Sequence, residues 1–209
     1  MMFDVHLVRD INRLWLPVYP GIARQVADHC SGHPERILEI GSFSGGTGIE
    51  LLRLFPEALL TVALEEQALA ETFFKDWSDA LRGIDTKRIR TAVSPLAPLN
   101  LPENSQDMVF CRGVFFFLDA AGSVLREAYR VLAPGGFTFL GGGFGAHTPD
   151  GLRAALADES RVKNNALGRK MYTHDEFRTA ITRAGLDRQT TLITEGGLWA
   201  LTRKKKNKN

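Results

Sequence analysis

The 209-residue sequence has only two cysteines and no apolar run long enough to cross a membrane. Cys30 and Cys111 are far apart and lack the C-x-x-C spacing of metal and redox sites, so we expect no metal site. A reducing, cytoplasmic location is the simplest interpretation of so few cysteines. We expect no membrane partner, because the start of the sequence also lacks an apolar signal-peptide core.

Basic residues are concentrated at the end of the chain. Five of the 26 lie in residues 203–209, which leaves 21 basic against 24 acidic residues in residues 1–202. A body with a net charge of −3 argues against a nucleic-acid partner. We predict a single domain over residues 1–202, with a helical lid at about residues 1–34, and a disordered basic tail at residues 203–209.

Strand-like and helix-like segments alternate along the chain. Short apolar segments predict strands at residues 36–40, 59–64, 88–93, 107–112 and 137–142, followed by a final pair at 188–194 and 198–202. Apolar residues at helical spacing predict helices at residues 45–55, 67–81 and 123–132, and a capping box predicts another from Thr173 to about Gly185. The expected fold is α/β: a doubly wound, Rossmann-like, mostly parallel seven-stranded sheet with helices on both faces and a partly antiparallel final strand pair.

One strand-to-helix turn, within ILEIGSFSGGTGIELL at residues 37–52, is rich in glycine. Gly41 and Gly45 would let a ligand approach the backbone closely, and the following helix points its positive end at the same place. Glu65 follows Gly45 by 20 residues, at the end of the second strand, where a carboxylate can accept both hydroxyl protons of a ribose. These features together predict a nucleotide or nucleoside site.

The turn does not fit a dinucleotide or a phosphate loop. It lacks the G-x-G-x-x-G spacing, and no lysine follows the glycines. Glu39 lies beside the turn, and an acid there suits a ligand that carries a cation and a carboxylate better than it suits a pyrophosphate. S-adenosylmethionine (SAM) has both groups and a ribose.

Four segments, in order, resemble class I SAM-dependent methyltransferases. E-I-G-S-F-S-G at residues 39–45 resembles the family's acidic-x-G-x-G-x-G motif, and Glu65 matches its ribose-binding acid. LPENSQDMVFCRG at residues 101–113 and REAYRVLAPGGF at 126–137 resemble the loop before the family's fourth strand and its E-x-x-RVLKPGG segment. The resemblance covers about half of the chain. It implies a cofactor site made by Glu39, Gly41, Ser42, Phe43, Gly45, Glu65, Glu66, Ser94, Arg112 and Gly113.

Two positions depart from the family pattern. Phe43 replaces the middle glycine, which makes the turn near the methionine part of the cofactor bulkier. Ser94 and Pro95 stand where many members have an aspartate that accepts the adenine amino group. Ser94 or a backbone carbonyl would then take that role.

Methyl transfer from a sulfonium needs mainly alignment, and a base only where the acceptor must lose a proton. His147, after the fifth strand, and Tyr19, before the first core helix, are the candidate catalytic residues; the alternatives are a plain loop histidine and a packing aromatic. Arg112 could instead bind an acidic acceptor. No N-P-P-Y follows the fourth strand, which argues against amino methylation of DNA bases or glutamine, and no Pro-Cys dipeptide accompanies Cys111, which argues against a cytosine-C5 enzyme. The sequence also has no large inserted domain and no basic face, so we expect a small-molecule acceptor.

The leading interpretation is an enzyme that transfers a methyl group from SAM to a small molecule and releases S-adenosylhomocysteine (SAH). One alternative is a non-catalytic SAM-binding sensor or accessory protein. A second is an NAD(P)-dependent dehydrogenase, since Glu65 would suit an adenosine ribose there as well. The sequence does not distinguish a monomer from a homodimer.

Overall fold

The computed structural model describes residues 3–206, which form one seven-stranded sheet with helices packed against it. The strands are β1 Arg36–Ile40, β2 Leu59–Leu64, β3 Ile89–Val93, β4 Gln106–Arg112, β5 Leu132–Gly142, β6 Thr190–Ile193 and β7 Leu198–Arg203. The helices are α1 Val5–Leu14, α2 Tyr19–Ala27, α3 Gly46–Leu54, α4 Gln67–Asp76, α5 Ser123–Val131, α6 Asp150–Ala166 and α7 His174–Arg183.

The strand order is β3-β2-β1-β4-β5-β7-β6, and the first five strands are parallel. β7 runs antiparallel to both β5 and β6. The predicted fold class is therefore confirmed. The strand order changes direction between the neighbours β1 and β4: β2 and β3 lie on one side, and β5 lies on the other. The carboxyl ends of β1 and β4 therefore border the crevice where such sheets bind ligands.

Alternation along the strands divides the core into two layers. In β1, Ile37 joins the apolar cluster under α1 to α4, while Leu38 and Ile40 join the cluster under α5 and α7. Successive strand side chains point to opposite faces, so one short strand can support both layers. Glu39 shares the face of Ile37 and therefore points under α3 rather than away from it.

The residues between His147 and Thr173 form a helix that the sequence did not resolve. The chain from Asp150 to Ala166 makes α6, which packs on α1. Its large apolar residues are only Leu152, Leu156 and Val162, so no clear helical stripe marks it. The capping box that begins α7 is present as predicted, with Thr173 and Glu176 exchanging backbone hydrogen bonds.

The prediction of a disordered tail from residue 203 is wrong for its first half. Arg203 is the last residue of β7 and pairs with Phe137 of β5. Lys204 donates from Nζ to the carbonyl oxygens of Tyr129 and Arg130, at 3.2 and 3.3 Å. Basic side chains can bind the exposed carbonyls at a helix end, as Lys204 does at the end of α5, and its backbone also pairs with Gly135 and Gly136 of β5. Residues 207–209 lie outside the described residues.

None of the helices within residues 3–206 is long and apolar enough to cross a membrane.

Trp199 is the largest side chain that the sheet buries completely. It stacks on Phe139 with ring centroids 4.9 Å apart and lies 6.1 Å from Phe110, so it joins β7 to β5 and β4. Its indole Nε1 is buried and has no hydrogen-bond partner among residues 3–206. Its contribution is therefore apolar packing.

We expect Trp199→Ala to lower the free energy of unfolding by about 3–5 kcal/mol, the usual cost of emptying such a site. Trp199→Phe is the matched control and should lose much less, because it keeps a ring and removes an unpaired donor. Chemical denaturation followed by circular dichroism measures both. Equal losses in the two variants would contradict the assignment of Trp199 to apolar packing.

Candidate functional site

The glycine turn joins β1 to α3 in a backbone conformation that favours glycine. Gly41 and Gly45 have φ angles of 101° and 126°, in the left-handed region. A side-chain carbon on Gly45 would lie 2.5 Å from the indole of Trp77, and one on Gly46 would overlap the ring of Tyr19. The turn therefore has glycines both for its conformation and for the close approach of two aromatic rings.

The buried side chain of Glu39 connects this turn to the first turn of α3 by hydrogen bonds. Its Oε2 accepts hydrogen bonds from the backbone N–H groups of Gly45 and Gly48, at 2.8 and 2.9 Å. Burial raises the pKa of Glu39 to about 7, although these hydrogen bonds and nearby Arg112 act in the opposite direction. Its Oε1 is buried and has no hydrogen-bond partner in the described chain. Glu39 thus fixes the turn and keeps one oxygen for a further donor.

Two more acids stand at the end of β2, and they face different neighbours. Glu65 is half-buried and borders a cavity of about 230 Å³ with Pro95, Phe116 and five further residues that include Phe117. Burial raises the pKa of Glu65, and the negative charge of Glu66 raises it further. Glu66 is buried, and its Oε1 accepts from the N–H of Phe3 at 3.5 Å. An acid opposite aromatic rings suits a nucleoside.

Ser94, which the sequence placed near the adenine, is buried and already engaged in its own loop. Its hydroxyl donates to the carbonyl of Pro95 at 2.7 Å and accepts from the N–H of Asn100 at 3.0 Å. Of the two possibilities for recognition of an adenine amino group here, a backbone carbonyl is therefore better placed than the Ser94 hydroxyl.

Arg112 is a buried cation at the end of β4. Its Nη2 lies 3.2 Å from Asn12 Oδ1, 3.3 Å from the Tyr19 hydroxyl and 3.5 Å from the carbonyl oxygen of Phe43. The guanidinium also lies 4.4 Å from the ring centre of Trp15. All these partners are neutral, and within residues 3–206 no carboxylate lies within ion-pair distance of Arg112.

Phe43 and its aromatic neighbours fill the space over the turn. Phe43 is buried, and its ring centre lies 4.7 Å from that of Phe116, 5.7 Å from that of Phe3 and 6.3 Å from that of Phe117. Phe117 also reaches the turn, since a side-chain carbon on Gly41 would lie 2.9 Å from its ring. The substitution of the middle glycine thus adds one member to an aromatic cluster between the ends of β1 and β4.

Tyr19 lies at the glycine turn, but its hydroxyl group is not free to act as a general base. Its hydroxyl donates to Asn12 Oδ1 at 3.3 Å and accepts from Arg112. Burial raises the pKa of Tyr19 to about 12, although the Arg112 charge lowers it, so the phenol keeps its proton at neutral pH. Tyr19 is a positioning residue for Arg112 and the glycine turn.

His147 lies away from this cluster. Its Nε2 is 2.6 Å from Asp28 Oδ2 at the end of α2, and both side chains are more than two-fifths exposed. It borders none of the cavities beside the glycine turn or Arg112. The general-base prediction for His147 therefore has no support in this arrangement, because the loop after β5 turns toward α2.

A second, larger cavity of about 370 Å³ lies beside Arg112. Aromatic residues from distant parts of the chain form much of its wall, and these are Trp15, Phe115, Phe116, Phe144 and Tyr172. The sequence analysis missed them, although the run VFFF directly after Gly113, at the end of a predicted strand, was a usable signal. Trp15 and the α6 residues gave no local signal. Among residues 3–206, no three His, Cys, Asp or Glu side chains are grouped as metal ligands.

Comparison with known proteins agrees with this geometry. The family model described as "Methyltransferase domain" matches residues 38–140, from β1 into β5. The malonyl-[acyl-carrier protein] O-methyltransferase of Geobacter sulfurreducens is 31% identical over 155 residues, which are 73% of this chain and 55% of that protein. The tRNA N(3)-methylcytidine methyltransferase Mettl2 of Drosophila melanogaster is 28% identical over 197 residues, 87% of this chain and 58% of that one.

The chain thus spans about half the length of these curated relatives. Among solved structures, mmp1179 of Methanococcus maripaludis, described as an S-adenosyl-L-methionine-dependent methyltransferase, superposes with a TM-score of 0.81 at 24% identity. That superposition covers 100% of this chain and 96% of the other. The fold, the ordered motifs and the matched family model agree. The chain belongs to the class I SAM-dependent methyltransferase family.

Proposed function

We propose that this protein transfers the methyl group of SAM to a small-molecule acceptor and releases SAH. The observation that carries the proposal is the pairing of a glycine turn, held by Glu39, with a half-buried Glu65 at the neighbouring strand end. β1 and β2 are adjacent and parallel, so both groups open onto the same edge of the sheet. A cytoplasmic location remains part of the proposal.

The groups at this edge fit SAM. Glu39 Oε1 and Glu65 Oε2 are both buried oxygens with no hydrogen-bond partner among residues 3–206. An unsatisfied buried acceptor is costly, and an ammonium or a ribose hydroxyl would supply the missing donor. Glu39 would face the cationic methionine end, and Glu65 the ribose. Ser42, Phe43 and Gly113 would form the wall between them.

When bound, SAM supplies a methyl group that its sulfonium already activates. The residues of the chain then need to orient the reactants and exclude water. Arg112, Tyr19 and Asn12 form one hydrogen-bonded group beside the turn. Their shared burial keeps this wall rigid, which supports alignment of an acceptor against the turn.

The first two elements are well placed to act as the lid that the sequence predicts. The ring of Phe3 packs on the aromatic cluster over the turn, and its N–H reaches Glu66. Arg9 of α1 binds Asp76 at the end of α4 with an Nε–Oδ2 distance of 2.8 Å. These contacts support a cover over the cofactor site.

The size of the larger cavity supports a small acceptor. A volume of about 370 Å³ falls within the range of small-molecule sites, and Arg112 and Gly113 place it beside the turn. Its wall contains no histidine, aspartate or glutamate. An acceptor that is already ionised, or that needs no base, suits such a wall. The name of the Drosophila relative includes tRNA, so the exclusion of nucleic acid stays a prediction.

A non-catalytic SAM sensor is the second candidate. The observation in its favour is the aromatic packing of Phe3, Phe43 and Phe117 over Gly41, which narrows the path between cofactor and acceptor. Incubation with methyl-labelled SAM and a broad acceptor mixture distinguishes the two. We expect label in an organic product; SAM binding with no transfer to any acceptor would favour the sensor.

Calorimetric titration with SAM, SAH and NADH tests the cofactor. We expect micromolar binding of both adenosyl compounds and none of NADH. Glu65→Ala should weaken the binding of SAM by about tenfold or more, because it removes a charged hydrogen-bond acceptor for the ribose. Glu71→Ala, an exposed acid on α4, is the control and should bind normally. The absence of SAM and SAH binding by folded protein would overturn the proposal.

SAM binding should also depend on the ionisation of Glu39. Its pKa of about 7 lies above the ordinary value, so in the free protein its contribution to stability is present in full at low pH and is lost as the pH rises through about 7. A bound cation favours the ionised form and releases a proton. SAM affinity should therefore rise from about pH 6 to about pH 8.

Glu39→Gln is the control for this dependence, since the amide cannot ionise. Titration of the SAM amine affects both proteins, so the difference between their affinity profiles isolates Glu39. Calorimetry in buffers of different ionisation enthalpy counts the released protons. Identical profiles in the two proteins would show that Glu39 does not face the bound cation.

A further inference from the structure

The charges on the wall of the 370 Å³ cavity are all of one sign. Its charged residues are Arg112, Arg161, Arg169 and Lys170, and no acidic residue borders it. The chain as a whole has nearly balanced charges, with 26 basic and 24 acidic residues. A cavity with four cations and no acid therefore departs from the rest of the molecule, and such a site concentrates anions.

Arg112, at the inner side of the cavity, has no carboxylate within ion-pair distance among residues 3–206, although buried Glu39 is close enough for the Arg112 charge to lower its pKa. It is only 5% exposed, and its hydrogen bonds go to neutral oxygens of Asn12, Tyr19 and Phe43. Its Nε is buried with no hydrogen-bond partner among residues 3–206. Burial of a cation without a directly paired anion is expensive, and the more distant Glu39 and contact with the Trp15 ring offset only part of that cost. An anionic ligand would supply the missing charge.

The guanidinium group of Arg169 also has no carboxylate partner among residues 3–206. Its Nη2 reaches only the sulfur of Met171, at 3.1 Å, and sulfur is a weak acceptor. Its buried Nε has no hydrogen-bond partner in the described residues, and burial lowers the pKa of the group. Arg161 differs, because Asp158 neutralises it at an Nη2–Oδ1 distance of 2.7 Å. Two of the three guanidinium groups on this wall thus have no carboxylate.

The remainder of the wall is flat and aromatic. Trp15 stacks on Phe144 with ring centres 4.7 Å apart and an angle of 2° between the planes. The Trp15 Nε1 donates to Ser160 Oγ at 3.1 Å, which fixes the indole against α6. Tyr172 stacks on Phe115 at 5.4 Å on another part of the wall. Surfaces of this kind bind planar apolar groups.

This inference rests on the proposed function and specifies its acceptor. We propose that the cavity is the acceptor subsite and takes a small organic anion, in which a carboxylate or phosphate group is attached to a planar apolar body. Arg112 and Arg169 bind the anionic group. Trp15, covered by Phe144 and Arg112, supports the wall, and the rings of Phe144 and of the Tyr172–Phe115 stack pack on the body. A nucleic acid is disfavoured, because a volume of about 370 Å³ suits a small ligand and the body of the chain is acidic.

Calorimetry on the full-length, SAH-saturated protein tests this with three matched probes: benzoate, phenyl phosphate and neutral benzamide. We expect at least one anion to bind about tenfold more tightly than benzamide, as a charged hydrogen-bonded pair predicts. The comparison of benzoate with phenyl phosphate identifies the preferred anionic group. A single-stranded RNA oligonucleotide is titrated in parallel.

Arg169→Gln should weaken the binding of the anion by about tenfold and leave the affinity for SAH unchanged. Arg161→Gln is the matched control and should have little effect, since Asp158 already pairs with that charge. The proposal is overturned by equal binding of benzamide and benzoate, by equal effects of the two variants, by RNA binding without small-anion binding, or by no anion binding at millimolar concentration. Failure of SAH itself to bind is a different result, and it overturns the proposed function.

Discussion

The pair of hydrogen bonds from Gly45 and Gly48 to the buried carboxyl group of Glu39 fixes the geometry on which the site depends. These bonds hold the glycine turn against the first turn of α3, and every other functional group is located relative to that turn. Tyr19 packs on it from α2, and Arg112 reaches it from β4. A buried carboxyl group is costly in a core, and the two backbone hydrogen bonds to Glu39 offset part of that cost.

Sheet topology explains why distant residues meet at this turn. β1 lies between β2 and β4, so Glu65 and Arg112 end on either side of it although 47 positions separate them in the sequence. The aromatic cluster then separates two spaces: one beside Glu65 suits a nucleoside, and one beside Arg112 has a cationic, aromatic wall. A single strand order thus places the proposed cofactor site and the proposed acceptor site on opposite sides of one turn.

Local spacing predicted the turn, the acid at the end of β2 and the parallel sheet, because each is encoded within a few residues of its own strand. Long-range packing was not predictable in this way. Trp15 donates a hydrogen bond to Ser160, which lies 145 positions later in the sequence, and no local spacing predicts that contact. The path of the loop after β5 was not predictable from local sequence either. The sequence therefore did not predict that His147 would lie beside Asp28. The order of Arg203 and Lys204 depends on β5 and α5, not on their own composition.

The overlap that a side chain at position 46 would create with Tyr19 bears on where the domain begins. α2 and α3 approach each other at a bare glycine, so the first two helices are part of the same core as the sheet. A fragment starting at β1 would leave Trp77 and the upper side of the glycine turn open to water. The two helices that precede the nucleotide-binding fold therefore complete the apolar core on one side of the sheet.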